Sequence, residues 1–380
     1  MPKIPLFKNL TNYEPYPHQR ETYETLKKGK PIILRAPTGS GKSEAVFIPF
    51  VGLRGISLPK RMIYALPMRA LVNSLYERFK NYTSDLDIRA QHGMKPESIL
   101  FNADCVVATL DQVITSYACA PLSLGVRHGN IPAGAIVSSF LVFDEVHTFE
   151  PLLGLQCVLI VADRLKKLSV PFVIMSATLP TRFAVSLSER LNALFIEVNE
   201  DSISARNKRS VTLYEKLDDT LSPEKVLQLH EEHDGSTIVV CNTVDRAINL
   251  YTGLKDEVSP IILIHSRFLD ADRDKKENEI KKYFGKSSKK KALLITTQVI
   301  EVGMDISCTL LITELAPVDA LIQRAGRCVR WGGRGEIIVF NISHHAPYDK
   351  TVIDDTKEVI KKYSGKQLTW SLEKTMVDEV

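Results

Sequence analysis

Short runs of Val, Ile and Leu recur along the chain: PIILRA (31–36), MIYAL (62–66), CVVAT (105–109), FLVF (140–143) and FVIM (172–175), then TIVVC (237–241), IILI (261–264), ALLITT (292–297), TLLIT (309–313) and EIIVF (336–340). They lack the apolar–polar alternation of a half-solvated sheet. Continuous apolarity is the mark of strands buried on both faces, as in parallel sheets covered by helices. The intervening segments supply the helices. In SPEKVLQLHEEHDG, Ser222 is a cap, Pro223 suits the first helical position and Gly235 is the expected stop. The two sets of runs are separated by the polar, basic DSISARNKRS (201–210), which reads as an interdomain linker. The expectation is an α/β chain: a first domain over 1–205, a second over 206–345, and a helical tail over 346–380. In that tail YDKTVIDDTKEVIKKY places Val352, Ile353, Val359 and Ile360 at its apolar positions.

A length of 380 residues suits two such domains, and 44% hydrophobic with 25% charged residues excludes a disordered chain. The formal net charge of +4 is too mild to imply a nucleic-acid partner by itself. Prolines in MPKIPLFKNL interrupt any signal-peptide core, and no run approaches the length of a membrane span, so a cytoplasmic protein with no membrane partner is expected. The six cysteines are scattered without a CxxC pair, which suits reduced thiols packed as small hydrophobes.

Chemistry first declares itself after the first apolar run. Pro37-Thr38-Gly39-Ser40-Gly41-Lys42-Ser43 sits between a strand and a helix, with Ala36 where the general pattern has its first glycine. Glycines let successive N–H groups turn around an anion and the helix N-terminus adds positive charge. Lys42 neutralises the outer phosphates, and the Ser43 hydroxyl is placed to ligate magnesium. FLVFDEVH then ends a strand in Asp144 and Glu145. One acid serves the magnesium shell and its neighbour orients or deprotonates water, a pairing that points to hydrolysis. Further polar groups follow other strands: Ser176 and Thr178 in SAT, His265 and Arg267 in HSR, Thr297 in TTQ. In QRAGRCVR, Gln323, Arg324, Arg327 and Arg330 stand at helical spacing, so Arg327 and Arg330 are expected on one helix face. An arginine presented to a phosphoryl group in transfer is worth ~10³ to 10⁵ in rate.

Together these motifs resemble the superfamily-two DExH helicases, with two tandem RecA-like domains, each a mainly parallel sheet flanked by helices. The resemblance spans about 13–335. It implies ATP and magnesium as cofactors. Gln19 in YEPYPHQRE corresponds to the adenine-reading glutamine, assisted by Tyr13 or Tyr16, and APTGSGKS matches the first motif including its alanine. DEVH, SAT, TTQVIEVGMDIS and QRAGRCVR match later motifs. The implied roles are magnesium and water for Asp144 and Glu145, coupling for Ser176 and Thr178, water alignment for Gln323, and phosphoryl contacts for Arg327 and Arg330. Gly303 and Asp305 fall on the ATP side, with Asp305 near the ribose. LPMRALVNSL and VATLDQVI implicate Arg69 and Thr109 in nucleic-acid binding, with His265, Arg267 and Thr297 from the second domain.

DEVH, IHSRF, TTQVIEVGMDI and GRCVRWG are most similar to the CRISPR-associated helicase of type I systems, whose members often have Asn where Val329 stands. That resemblance implies 3' to 5' translocation on single-stranded DNA and recruitment by a Cascade-type surveillance complex; many members also carry a metal nuclease domain built on His-Asp dipeptides, so the expectation here is a helicase-only variant with a separate HD-type nuclease, or a fragment of a longer member. The only His-Asp dipeptide, His233-Asp234, reads as a helix-terminal histidine. The lysines of YFGKSSKKKAL (Lys286, Lys289, Lys290, Lys291) read as a solvated loop. Rim residues that are mostly hydrogen-bond donors predict backbone-dominated, sequence-tolerant binding. Two other readings stay open: an ATP-gated nucleic-acid clamp or scaffold, and a DExH RNA helicase.

Overall fold

The computed structural model describes residues 4–149, 151–204, 209–286, 288, 290–301 and 303–380. The chain forms two compact units, Met1–Ile203 and Ser204–Val380.

The first unit is built on strands β1 (Ile32–Arg35), β2 (Met62–Leu66), β3 (Ile88–His92), β4 (Lys95–Pro96), β5 (Cys105–Thr109), β6 (Phe140–Phe143), β7 (Phe172–Ser176) and β8 (Leu194–Glu197). They lie in the order β4-β3-β5-β2-β6-β7-β1-β8. Every pairing is parallel except the short β3–β4 hairpin. Strands β1, β2, β5, β6 and β7 are buried at every position. Their successive side chains feed two cores. Ile32, Leu34, Met62, Tyr64 and Val142 join one, while Ile33, Ile63, Ala65, Leu141 and Phe143 join the other. Two covered faces leave no polar face, which is why these strands show no alternation.

The second unit repeats the plan with β9 (Arg209–Thr220), β10 (Thr237–Val240), β11 (Ile261–Ile264), β12 (Leu293–Thr296), β13 (Leu310–Glu314) and β14 (Gly333–Asn341), in the all-parallel order β11-β12-β10-β13-β14-β9. Each unit is thus a mainly parallel sheet flanked by helices. Among the described residues no helix is long and apolar enough to cross a membrane.

The apolar runs locate ten of these strands, and the four they miss are peripheral or mixed. β3 reads IRAQH, β4 is two residues long, and β8 exposes Leu194 at the sheet edge. β9 takes up Arg209 and Ser210, which the linker assignment had placed outside the domain; residues 205–208 of that linker lie outside the described residues. It buries Val211, Leu213 and Leu217 while other positions stay wet, the pattern of a sheet edge.

The C-terminal segment covers that edge. Leu213 N–H donates to Lys366 O at 3.0 Å, Gly365 N–H to Leu213 O at 2.7 Å, and Leu368 N–H to Val211 O at 2.8 Å. Helix Lys350–Tyr363 sends Ile353, Val359 and Ile360 into the same core as β9. Residues 346–380, set apart as a tail by the sequence, are therefore integral to the second unit. Helix Pro223–Glu232 is capped by Ser222 as expected but ends before Gly235. That glycine has another reason, since a Cβ there would lie 2.1 Å from Thr309 Oγ1.

If helix Lys350–Tyr363 completes this core, Ile360→Ala should cost roughly 2–5 kcal/mol in denaturant unfolding of the second unit. A loss below about 0.5 kcal/mol would place the helix outside the core.

Candidate functional site

At the carboxyl end of β1 the chain turns through residues 36–41 into helix Lys42–Leu53. Gly39 and Gly41 take φ of 79° and 77°, left-handed conformations that aim backbone N–H groups inward. Gly41 is required twice over, because a Cβ would come within 2.5 Å of Gln19 Nε2. Gln19 donates from Nε2 to Gly41 O at 3.0 Å and accepts from Tyr16 N–H at 2.8 Å. Its amide thus braces the loop through both ends. Tyr16 stacks on His18, whereas Tyr13 is exposed. Thr38 lies on the loop, and Ser40 Oγ donates to Pro37 O at 2.8 Å.

β6 delivers Asp144 and Glu145 beside this loop. Lys42 Nζ lies 3.1 Å from Glu145 Oε1, both largely buried. Asp144 accepts from Tyr64 OH at 2.6 Å and from Glu145 N–H at 2.8 Å. Burial, and then the charge of Glu145, pushes the Asp144 carboxyl up to about 6. The Asp144 carboxylate and the Ser43 hydroxyl are oxygen donors of the kind a hard divalent cation takes, and they would hold one. Glu145 adopts φ 53°, a left-handed strain that sets its carboxylate toward Lys42. The fourth DEVH residue, unassigned from sequence, stands between the acid pair and SAT. His147 Nδ1 lies 3.6 Å from Glu145 Oε2 and 2.9 Å from Ser176 Oγ, which accepts from Thr178 N–H at 3.1 Å. The acid pair and SAT are therefore physically linked.

In the second unit the arginine segment differs from expectation. Helix Val318–Ala325 carries buried Gln323 and Arg324 but ends there, and Gly326 leads into turns through Arg327 and Arg330. Cys328 pairs with Cys308 in an isolated bridge, so the two arginines do not share a helix face. Arg327 donates to the carbonyls of Ile300 at 2.9 Å and Glu301 at 2.7 Å. Arg330 pairs with Asp305 at 2.7 Å, beside Gly303 at φ 89°. The structure thus gives Asp305 a guanidinium partner. Arg324, fully buried, donates to Glu301 at 2.8 Å, Thr313 Oγ1 at 2.7 Å, Asn242 Oδ1 at 3.1 Å and Tyr348 OH at 3.0 Å. Sequence reasoning missed this hub, because Asn242, Thr313 and Tyr348 carry no motif.

The expected nucleic-acid contacts divide by exposure. Arg69 opens helix Arg69–Tyr82 and is exposed. Thr109 ends β5 with a buried hydroxyl that has no hydrogen-bond partner, and the Thr178 hydroxyl beyond β7 has none either. His265 and Thr297 are buried at the ends of β11 and β12, and His265 stacks on Phe268 at 4.4 Å. Arg267 is exposed and pairs with Asp245 at 2.7 Å. Of the lysine run, Lys290 lies over the Tyr283 ring and Lys291 donates to Glu231 O; Lys289 is outside the described residues. His233 follows its helix and lies 2.8 Å from Thr309 Oγ1. Among the described residues no group of three or more His, Cys, Asp or Glu could hold a metal ion, and all six cysteines are free.

Residues 16–186 match the DEAD/DEAH box helicase family model, and residues 233–332 match the model described as CRISPR-associated nuclease/helicase Cas3, C-terminal. A putative CRISPR-associated nuclease/helicase Cas3 of Methanocaldococcus jannaschii is 29% identical, covering 98% of this chain and 54% of that protein. The CRISPR-associated helicase Cas3 of Thermoproteus tenax is 31% identical over 92% of this chain and 63% of its own length. The crystal structure of T. fusca Cas3 with AMPPNP superposes with a TM-score of 0.79 at 20% identity, over 98% of this chain and 53% of that one. The chain thus spans between half and two thirds of these relatives, and the structural match bears out two RecA-like folds.

His18, next to Gln19, supplies a pH test. Burial lowers its pKa to about 4 from 6.5, opposed by the Ser40 backbone. Between those values the unfolded chain takes up a proton that the folded chain refuses, so stability falls with falling pH, by up to ~3 kcal/mol for this group. His18→Phe should flatten the acid limb of a stability–pH curve across that window, and an unchanged limb would mean His18 is free to protonate in the fold.

Proposed function

We propose, taking as premise that this chain is of the Cas3 type among the superfamily-two DExH helicases, that it is an ATP-driven translocase on single-stranded DNA. It moves 3' to 5' and serves CRISPR type I interference. An RNA-guided surveillance complex delivers the opened DNA, and a separate HD-type nuclease cleaves it.

One observation carries the reading most directly: Lys42, Glu145, His147, Ser176 and Thr178 stand as successive neighbours, hydrogen-bonded or ion-paired except for the 3.6 Å approach of His147 to Glu145. They connect the phosphate loop to the segment that couples hydrolysis to movement. The backbone of residues 38–43 cradles the phosphates, and Lys42 turns from Glu145 to their outer oxygens. Glu145, released, orients and deprotonates the attacking water, while Gln323 aligns it. Ser43 and Asp144 would hold magnesium, which would supply charge neutralisation of the phosphates when bound. Arg327 and Arg330 stabilise charge on the departing phosphoryl group. Arg69 and Thr109 from the first unit, and His265, Arg267 and Thr297 from the second, hold the strand.

An ATPase titration with single-stranded DNA, duplex DNA and RNA on one preparation tests the proposal. Single-stranded DNA should stimulate most. Lys42→Ala and Glu145→Gln should each reduce turnover at least ~100-fold, and Arg327→Ala by ~10³ with nucleotide binding retained. Hydrolysis unmoved by DNA, with ATP still altering DNA affinity, would favour a clamp or scaffold. RNA stimulating as well as DNA would favour an RNA helicase.

A further inference from the structure

The centre of β2 carries a wholly buried tyrosine whose hydroxyl the mechanism above does not use. Tyr64 OH donates to Asp144 Oδ2 at 2.6 Å. The phenol therefore holds one of the two side chains proposed above for magnesium, Asp144, and the other, Ser43, is held from a neighbouring helix. Volume alone does not explain it. Tyr64 packs edge-on against Phe79 at 5.7 Å, Phe79 stacks on Phe47 at 3.9 Å, and phenylalanine would fill the same space without a polar atom to bury.

The chain of contacts continues outward. Arg78 Nη2 donates to Ser43 Oγ at 3.1 Å, its Nη1 lies 3.5 Å from Glu44, and Tyr82 OH donates to Glu44 Oε1 at 2.8 Å. Arg78, Phe79 and Tyr82 all belong to helix Arg69–Tyr82 and clasp the first turns of helix Lys42–Leu53. The opposite end of that helix presents Arg69, roughly 13 Å away at 1.5 Å per residue. Helices move as rigid elements, so a displacement at one end reaches the other.

We propose that Tyr64 and Arg78 are positioning residues. They set the separation of Ser43 and Asp144 for the divalent cation, and they tie that separation to helix Arg69–Tyr82, so that nucleic acid engaged at Arg69 tunes the metal ligands. The second half of this statement rests on the nucleic-acid-stimulated ATPase reading above.

Two variants test it. In Tyr64→Phe, binding of a fluorescent ATP analogue titrated with magnesium, without nucleic acid, should need about tenfold more magnesium, the effect of losing one hydrogen bond to a charged group. In Arg78→Gln, the ratio of DNA-stimulated to unstimulated turnover should fall severalfold toward one, while single-strand affinity by fluorescence anisotropy stays within about twofold. Arg78→Lys, which keeps a cationic donor, should restore much of the ratio. Thermal melts of all three should match the parent within a few degrees. Wild-type magnesium dependence in Tyr64→Phe, or full stimulation in Arg78→Gln, overturns the proposal. Should the parent protein show no stimulation, it is the function above that fails, and the magnesium titration still decides whether Tyr64 positions the ligands.

Discussion

Burial of the central strands on both faces is the constraint from which the site follows. With apolar cores above and below β1, β2, β5, β6 and β7, polar side chains have few places to emerge except at the strand ends. The phosphate loop, Asp144–Glu145 and Ser176–Thr178 all follow carboxyl ends of adjacent strands, and in open parallel sheets that rim is where ligands bind. The order β6-β7-β1 makes neighbours of residues more than a hundred positions apart. The path from Lys42 through Glu145 and His147 to Ser176 is a direct consequence of that adjacency.

The second unit meets the same constraint differently, with a buried ionic network beneath its rim. Arg324 satisfies five acceptors at once, and the Glu301 it pairs with lends its own carbonyl to Arg327. Glu314, wholly buried and pushed up by desolvation, accepts from Asn242 N–H and pairs with Arg246. Such groups are expensive to bury and unforgiving to break, since removing one partner strands the others. Their benefit is definition: the arginine turn is held by backbone carbonyls in one arrangement. Tyr348, from the C-terminal segment, brings that segment into the same network.

Much of the first site was legible because its chemistry is local. A glycine-rich turn between strand and helix, or two acids at a strand end, is contained in a few consecutive residues. The same holds for strands with two buried faces, whose runs stand out against any background. Legibility failed where a residue's role depends on what lies opposite. Tyr64 reads as one more apolar strand residue, and only its contact with Asp144 shows otherwise. Arg327 and Arg330 keep a helical spacing in a segment that leaves the helix at Gly326, because the Cys308–Cys328 bridge captures the backbone. β9 was divided between linker and domain because an edge strand carries half the apolar signal of a central one.

The residues alone determined the two-domain α/β plan, the phosphate loop with its acids, and the segments where polar groups gather, since each follows from periodicity or short-range chemistry. Tertiary structure decided the rest. It made helix Lys350–Tyr363 part of a core, set the Tyr64 phenol against Asp144, and gave Arg324 and Arg327 their partners. Those outcomes depend on strand order and on which side chains share a buried space, and neither quantity is carried by any short stretch of chain.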